Sequence, residues 1–130
     1  MSGAAKRILV VDDDPEVLDV IQVALKSEGY QVAVARTGPD GLEAALADPP
    51  DVLILDIMMP GMHGADVCRR LKAEPTTAAV PIIMVTALSE AKYRKAALFQ
   101  LDVDFYLTKP FDIADLLDKV HQAIRFKRIN

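Results

Sequence analysis

The chain has 130 residues, enough for one domain with a buried core, and its 52% hydrophobic and 26% charged residues suit a soluble globular protein rather than a disordered one. A net charge of −4 argues against direct nucleic-acid binding through the domain as a whole, no apolar run reaches the ~18 residues of a membrane span, and MSGAAKR lacks the apolar core of a secretory signal. One cysteine, Cys68, and two histidines exclude an internal disulfide and a zinc site, so the expected setting is cytoplasmic.

In chain order, Arg7–Val11 (RILVV) is a β-branched run ending at the acidic triplet Asp12-Asp13-Asp14. Asp14 then suits a helix N-cap with Pro15 at the first helical position and Gly29 as the stop, and Val17, Leu18, Ile21, Ala24 and Leu25 share one helical face. QVAVAR (31–36) is the second strand, followed by a short helix from about Pro39 to Ala47. Val52–Asp56 is the third strand; a sharp turn at Pro60-Gly61 and a helix over about Ala65–Ala73, stopped by Pro75, come next. PIIMVT (81–86) is the fourth strand, with an Ala-rich helix over about Ser89–Phe99, and Val103–Leu107 is the fifth. The last helix, from about Asp112, spaces Ile113, Leu116, Leu117, Val120 and Ile124 along one face, and Arg125, Lys127 and Arg128 suit its negative end.

Strand and helix thus alternate five times in a single domain over 1–130 with a core of about 7–125. Apolar strands without polar alternation imply an α/β fold whose parallel sheet is covered on both faces, and such sheets bind ligands beyond the carboxyl ends of their strands. At those ends stand Asp12 and Asp13, Asp56, Thr86 with Ala87, and Thr108-Lys109-Pro110. Three carboxylates brought together repel, and Lys109 offsets only one of them. The excess predicts a divalent cation, and an all-oxygen site with few protein ligands favours Mg²⁺. Thr86 and Lys109 then read as donors to phosphoryl oxygens, and an aspartate as the nucleophile of an aspartyl-phosphate.

Four stretches, ILVVDDDPEV (8–17), DVLILDIMMPGMHG (51–64), PIIMVTAL (81–88) and DFYLTKPF (104–111), closely resemble the response-regulator receiver domain of two-component signalling in order and spacing. The resemblance runs from about Arg7 to Arg125 and implies a flavodoxin-like, doubly wound, five-stranded parallel sheet of order 2-1-3-4-5 with five helices. It implies Asp56 as phosphoacceptor; Asp13, Asp56 and the Met58 backbone carbonyl as Mg²⁺ ligands; and Asp12 acting through bound water. It further implies Lys109 as the phosphoryl-pairing lysine before a cis Pro110, Thr86 and the Ala87 backbone amide as donors, and Tyr106 as an aromatic switch that moves inward with Thr86.

The implied partners are a sensor histidine kinase or histidine phosphotransfer protein, and an output domain or partner protein on the face of the fourth helix, fifth strand and fifth helix. That face also serves homodimers in the family. The resemblance carries no enzyme activity beyond the chain taking up and losing its own phosphoryl group. Asp102 stands where the family commonly has glycine, and at positive φ an aspartate carries modest strain. Met58 and Leu88 flank the site with side chains unable to orient an attacking water, so a long-lived phosphorylated state is expected.

Three other readings compete. A hydrolase of the haloacid-dehalogenase type is disfavoured because Met58 occupies the place of its second aspartate. A flavodoxin-like cofactor carrier is disfavoured because DDDPE would repel a phosphate without a metal. A receiver fold kept as a phosphorylation-independent binding module is separated from the leading reading only by experiment. No helix-turn-helix, cyclase or kinase segment follows residue 130, so the chain reads either as a stand-alone receiver or as the receiver part of a longer protein.

Overall fold

The computed structural model describes residues 5–58, 64–88 and 90–125. The expected Pro60-Gly61 turn, Ser89, and the basic end at Lys127 and Arg128 lie outside these residues. The strands are β1 (Arg7–Val11), β2 (Gln31–Ala35), β3 (Val52–Leu55), β4 (Ile82–Thr86) and β5 (Phe105–Thr108). Between and after them run α1 (Pro15–Ser27), α2 (Gly38–Ala47), α3 (Gly64–Ala73), α4 (Ala91–Lys95) and α5 (Ile113–Arg125). All strand pairs are parallel and the order is β2-β1-β3-β4-β5, as the resemblance implied.

The local signals act as expected at several boundaries. Asp14 caps α1 by accepting the Glu16 N–H at 2.9 Å, and Thr37 caps α2 by accepting the Asp40 N–H at 3.1 Å. Gly29 follows the end of α1 at φ 90°, a conformation that costs a glycine little. Successive strand residues point to opposite faces and divide the core in two. Leu9, Val11, Leu53, Leu55, Ile82 and Met84 pack with Val67 and Leu71 of α3 and Leu42 of α2. Ile8, Val10, Ile54, Ile83 and Val85 pack with Ile21 and Leu25 of α1 and with Leu116 and Val120 of α5.

Three expectations need correction. β2 is apolar but not covered on both faces: it is the sheet edge, and Val34 is 40% exposed. The predicted fourth helix is a five-residue α4 that widens into a π-helical segment over Ala96–Gln100, closed by Leu101 N–H to the Ala96 carbonyl at 3.1 Å. A periodicity of 3.6 residues per turn cannot register that extra residue; within the segment Phe99 is 81% exposed and Ala97 is buried. β5 begins at Phe105, not Val103, because the Val103 N–H donates to the Ala97 carbonyl instead of to the ladder.

The order reverses between β1 and β3. β1 leads outward to β2 and β3 leads outward to β4, so the crevice beyond their carboxyl ends lies at the switch point.

Candidate functional site

Parallel register sets Val11 opposite Leu55, so the residues that follow, Asp12 and Asp56, emerge side by side. The Asp56 N–H donates to the Val11 carbonyl at 3.0 Å, and the Asp12 N–H to the Ala35 carbonyl at 3.1 Å, which carries the sheet bonding into the site. Each carboxylate then folds back on its own loop. Asp12 Oδ1 accepts the Asp14 N–H, and Asp56 Oδ1 accepts the Met58 N–H, both at 2.9 Å. These turns leave both Oδ2 atoms facing the same point.

That point holds the Lys109 ammonium. Its Nζ lies 2.8 Å from Asp12 Oδ2 and 3.1 Å from Asp56 Oδ2. Lys109 is anchored after β5 by its own N–H, which donates to the Thr86 carbonyl at 2.7 Å, and its long stem spans the end of β4 to reach β3 and β1. The Lys109–Pro110 peptide bond is cis.

Asp12 and Asp56 are buried, at 2% and 5% exposure, and Asp13 stands nearer solvent. Carboxylate oxygens of all three lie within 4.8 Å of one another. Burial pushes the Asp56 carboxyl above its ordinary range; the Met58 N–H and Lys109 pull it down without prevailing, and the Asp12 charge adds to the rise. For Lys109 burial alone would lower the ammonium, but the hydrogen bonds and charges of Asp12 and Asp56 overcome this and raise it.

Two like charges no more than 4.8 Å apart repel by roughly 3 kcal/mol or more at the intermediate dielectric of a protein edge, so one lysine among three carboxylates leaves a strong negative excess. The donor set is all oxygen and partly open to solvent. It therefore fits a hard divalent cation of the Mg²⁺ class and not zinc.

Thr86 ends β4 fully buried, and its Oγ1 accepts the Leu88 N–H at 3.4 Å. Ala87 follows at the surface. Tyr106 pairs with Met84 across the β4–β5 ladder and belongs to the core rather than to the carboxylate cluster. Tyr106 is 7% exposed, with its hydroxyl donating to the Leu88 carbonyl at 2.5 Å.

Two contacts were not read from the sequence. The Leu88 carbonyl as the Tyr106 acceptor has no side-chain signal, and the Arg94 guanidinium over the Tyr106 ring at 5.6 Å depends on how α4 is turned. Asp102 has φ 57°, as its place in a glycine position suggested, and its carboxylate lies 3.9 Å from Lys72 Nζ. Cys68 is a buried core residue whose thiol burial pushes up to about 12, against the pull of Lys72 and Arg69.

The family model of the response regulator receiver domain matches residues 8–121. The response regulator PleD of Caulobacter vibrioides is 43% identical over 123 residues, 95% of this chain and 27% of PleD. The DNA-binding dual master transcriptional regulator RpaA of Synechocystis is 40% identical over 119 residues, 92% of this chain and 49% of RpaA. The chain therefore spans less than two thirds of the length of these relatives. Among solved structures, the chemotaxis protein CheY4 of Vibrio cholerae superimposes with a TM-score of 0.86 at 26% identity, covering 92% of this chain and 99% of that one. A response regulator of Chloroflexus aurantiacus gives 0.87 at 33% identity, covering 94% and 99%. With its sheet order, its strand-end carboxylates and these likenesses together, the chain belongs to the response regulator receiver domain family.

Proposed function

We propose that this chain is a phosphoacceptor switch in which Asp56 takes a phosphoryl group from the phosphohistidine of a sensor histidine kinase or phosphotransfer protein. The observation that carries the reading is Lys109 bridging two buried carboxylates at the switch point while a third stands within 4.8 Å. Asp56 Oδ1 is held by the Met58 N–H, so Oδ2, which faces Lys109, is the attacking atom. Burial makes this carboxylate more basic than an exposed one, which suits a nucleophile. In the transfer the Asp56 oxygen bonds to phosphorus, the phosphorus–nitrogen bond to the donor breaks, and the departing imidazole is reprotonated from solvent.

Asp13, Asp56 and the Met58 carbonyl would hold Mg²⁺, with Asp12 acting through water, and the cation would supply charge neutralisation of the phosphoryl oxygens. Lys109 exchanges its contact with Asp56 for one with a phosphoryl oxygen. The Thr86 hydroxyl and the Ala87 N–H donate to the others. Tyr106 lies opposite Met84, two positions before Thr86 and on the same face of the sheet, so a rotation of Thr86 alters the space beside the Tyr106 ring and shifts the balance between two packings of the α4–β5 region. The altered face, with α5, would engage an output domain, a partner protein or a second copy of the chain. No helix of the described residues is long and apolar enough to cross a membrane, and a cytoplasmic setting suits the reading.

Intact mass after incubation with acetyl phosphate tests this, with and without Mg²⁺ and beside Asp56→Ala. The expected result is a Mg²⁺-dependent gain of one phosphoryl group that the variant lacks. No gain under any condition would overturn the reading in favour of a phosphorylation-independent binding module.

A further inference from the structure

Gly64 opens α3, and its N–H donates to the Ile57 carbonyl at 3.1 Å. A Cβ at this position would stand 2.6 Å from the Asp56 carbonyl oxygen, 2.6 Å from Ile57 Cα and 3.2 Å from the Asp56 carbonyl carbon. The φ of Gly64 is not in the left-handed region, so the requirement is for space and not for a special backbone conformation. All three obstructing atoms belong to the main chain, so no rotamer change relieves the overlap. Gly41 makes a useful contrast: its Cβ would stand 2.6 Å from Val11 Cγ2, 2.9 Å from Cγ1 and 3.3 Å from Cβ, an overlap with a β1 side chain and not with the Asp56–Ile57 backbone.

The segment that would have to yield at Gly64 is the one that aims the nucleophile. The peptide joining Asp56 to Ile57 leads within one residue to the Met58 N–H that fixes Asp56 Oδ1 at 2.9 Å. The same side chain places Oδ2 at 3.1 Å from Lys109 Nζ. We propose that Gly64 is a positioning residue for phosphoryl transfer: by lacking a side chain it lets α3 rest directly on the Asp56–Ile57 backbone and so fixes the direction of the Asp56 carboxylate. This rests on the phosphoacceptor reading. Relieving the overlap needs a displacement of about half an ångström or more, and misplacing a reacting group by ~1 Å costs on the order of a hundredfold in rate.

The test compares Gly64→Ala, Gly41→Ala and the unaltered chain at a temperature where circular dichroism finds each one folded. If Gly64→Ala is unfolded in buffer, all three are measured in trimethylamine oxide, which favours the compact state. The expected result is a fall of roughly tenfold to a hundredfold in the initial rate of Mg²⁺-dependent labelling by acetyl phosphate for Gly64→Ala, with Gly41→Ala within about threefold of the unaltered chain. Without any phosphodonor, the Met58 amide proton of Gly64→Ala should move upfield in ¹⁵N-edited spectra as its bond to Asp56 lengthens, while Gly41→Ala leaves it in place. A folded Gly64→Ala with unaltered rate and unaltered Met58 amide would overturn the proposal, as would equal losses in both variants. Failure of the unaltered chain to label at all sinks the phosphoacceptor reading instead, and the Met58 amide then decides whether Gly64 positions the segment.

Discussion

The two ends of the sheet use the same side chain for opposite ends. At the amino end, Asp51 Oδ2 accepts the Arg7 N–H at 2.8 Å and Asp104 Oδ2 accepts the Ile82 N–H at 2.9 Å. Each satisfies a backbone donor at or beside the start of a strand, and the Arg7 guanidinium pairs with Asp48 at 3.1 Å. At the carboxyl end, Asp12 and Asp56 also hold loop amides, but with one oxygen each. Their other oxygens converge on a single lysine, with Asp13 beside them. Carboxylates whose acceptors are matched by amides stabilise a fold. Carboxylates left in excess of cations hold a site ready for charge brought from outside.

The largest expected effect comes from removing the cation that bridges Asp12 and Asp56. Lys109→Ala should slow Mg²⁺-dependent labelling by about a hundredfold to a thousandfold, the usual loss when a charge-stabilising donor is deleted, and an intact-mass time course reads it. A rate close to that of the unaltered chain would mean that the bridge at Asp12 and Asp56 is only structural.

Next in size, Asp104→Ala at the amino end leaves the N–H of the buried Ile82 without this acceptor. It should cost about 1–3 kcal/mol in urea denaturation and leave labelling unchanged.

The smallest effect has the opposite sign. Asp56→Asn should raise the melting temperature in a chelator, because the buried carboxylate it removes is held above its unfolded range. For a group raised on folding, its stabilising contribution is present below the unfolded value of 3.8 and lost as pH rises through the folded value, so the advantage of asparagine should grow with pH before levelling off. Melting curves from about pH 4 to about pH 8 check the trend, and saturating Mg²⁺ should reverse the order by binding the unaltered chain more tightly. An asparagine variant less stable than the parent in chelator would place Asp56 with the structural carboxylates of the other end.

Much of this architecture was legible from local chemistry. Asp14 and Pro15 announce α1, the apolar runs of β1, β3 and β4 announce strands covered on both faces, and Asp12, Asp56 and Lys109 declare themselves by standing just past the ends of β1, β3 and β5. The sequence by itself determined these elements because capping, periodicity and turn chemistry act between residues a few positions apart.

The tertiary structure decided what depends on distance along the chain. The same apolar pattern makes β2 an exposed edge and β3 a buried centre, because strand order is not written in either strand. The widened turn at Ala96–Gln100, the Leu88 carbonyl under the Tyr106 hydroxyl and the closeness of Gly64 to Asp56 arise only when separate segments press against each other. Steric contact between backbones carries no periodicity, so packing alone could reveal that the backbone of Asp56 rests against a glycine.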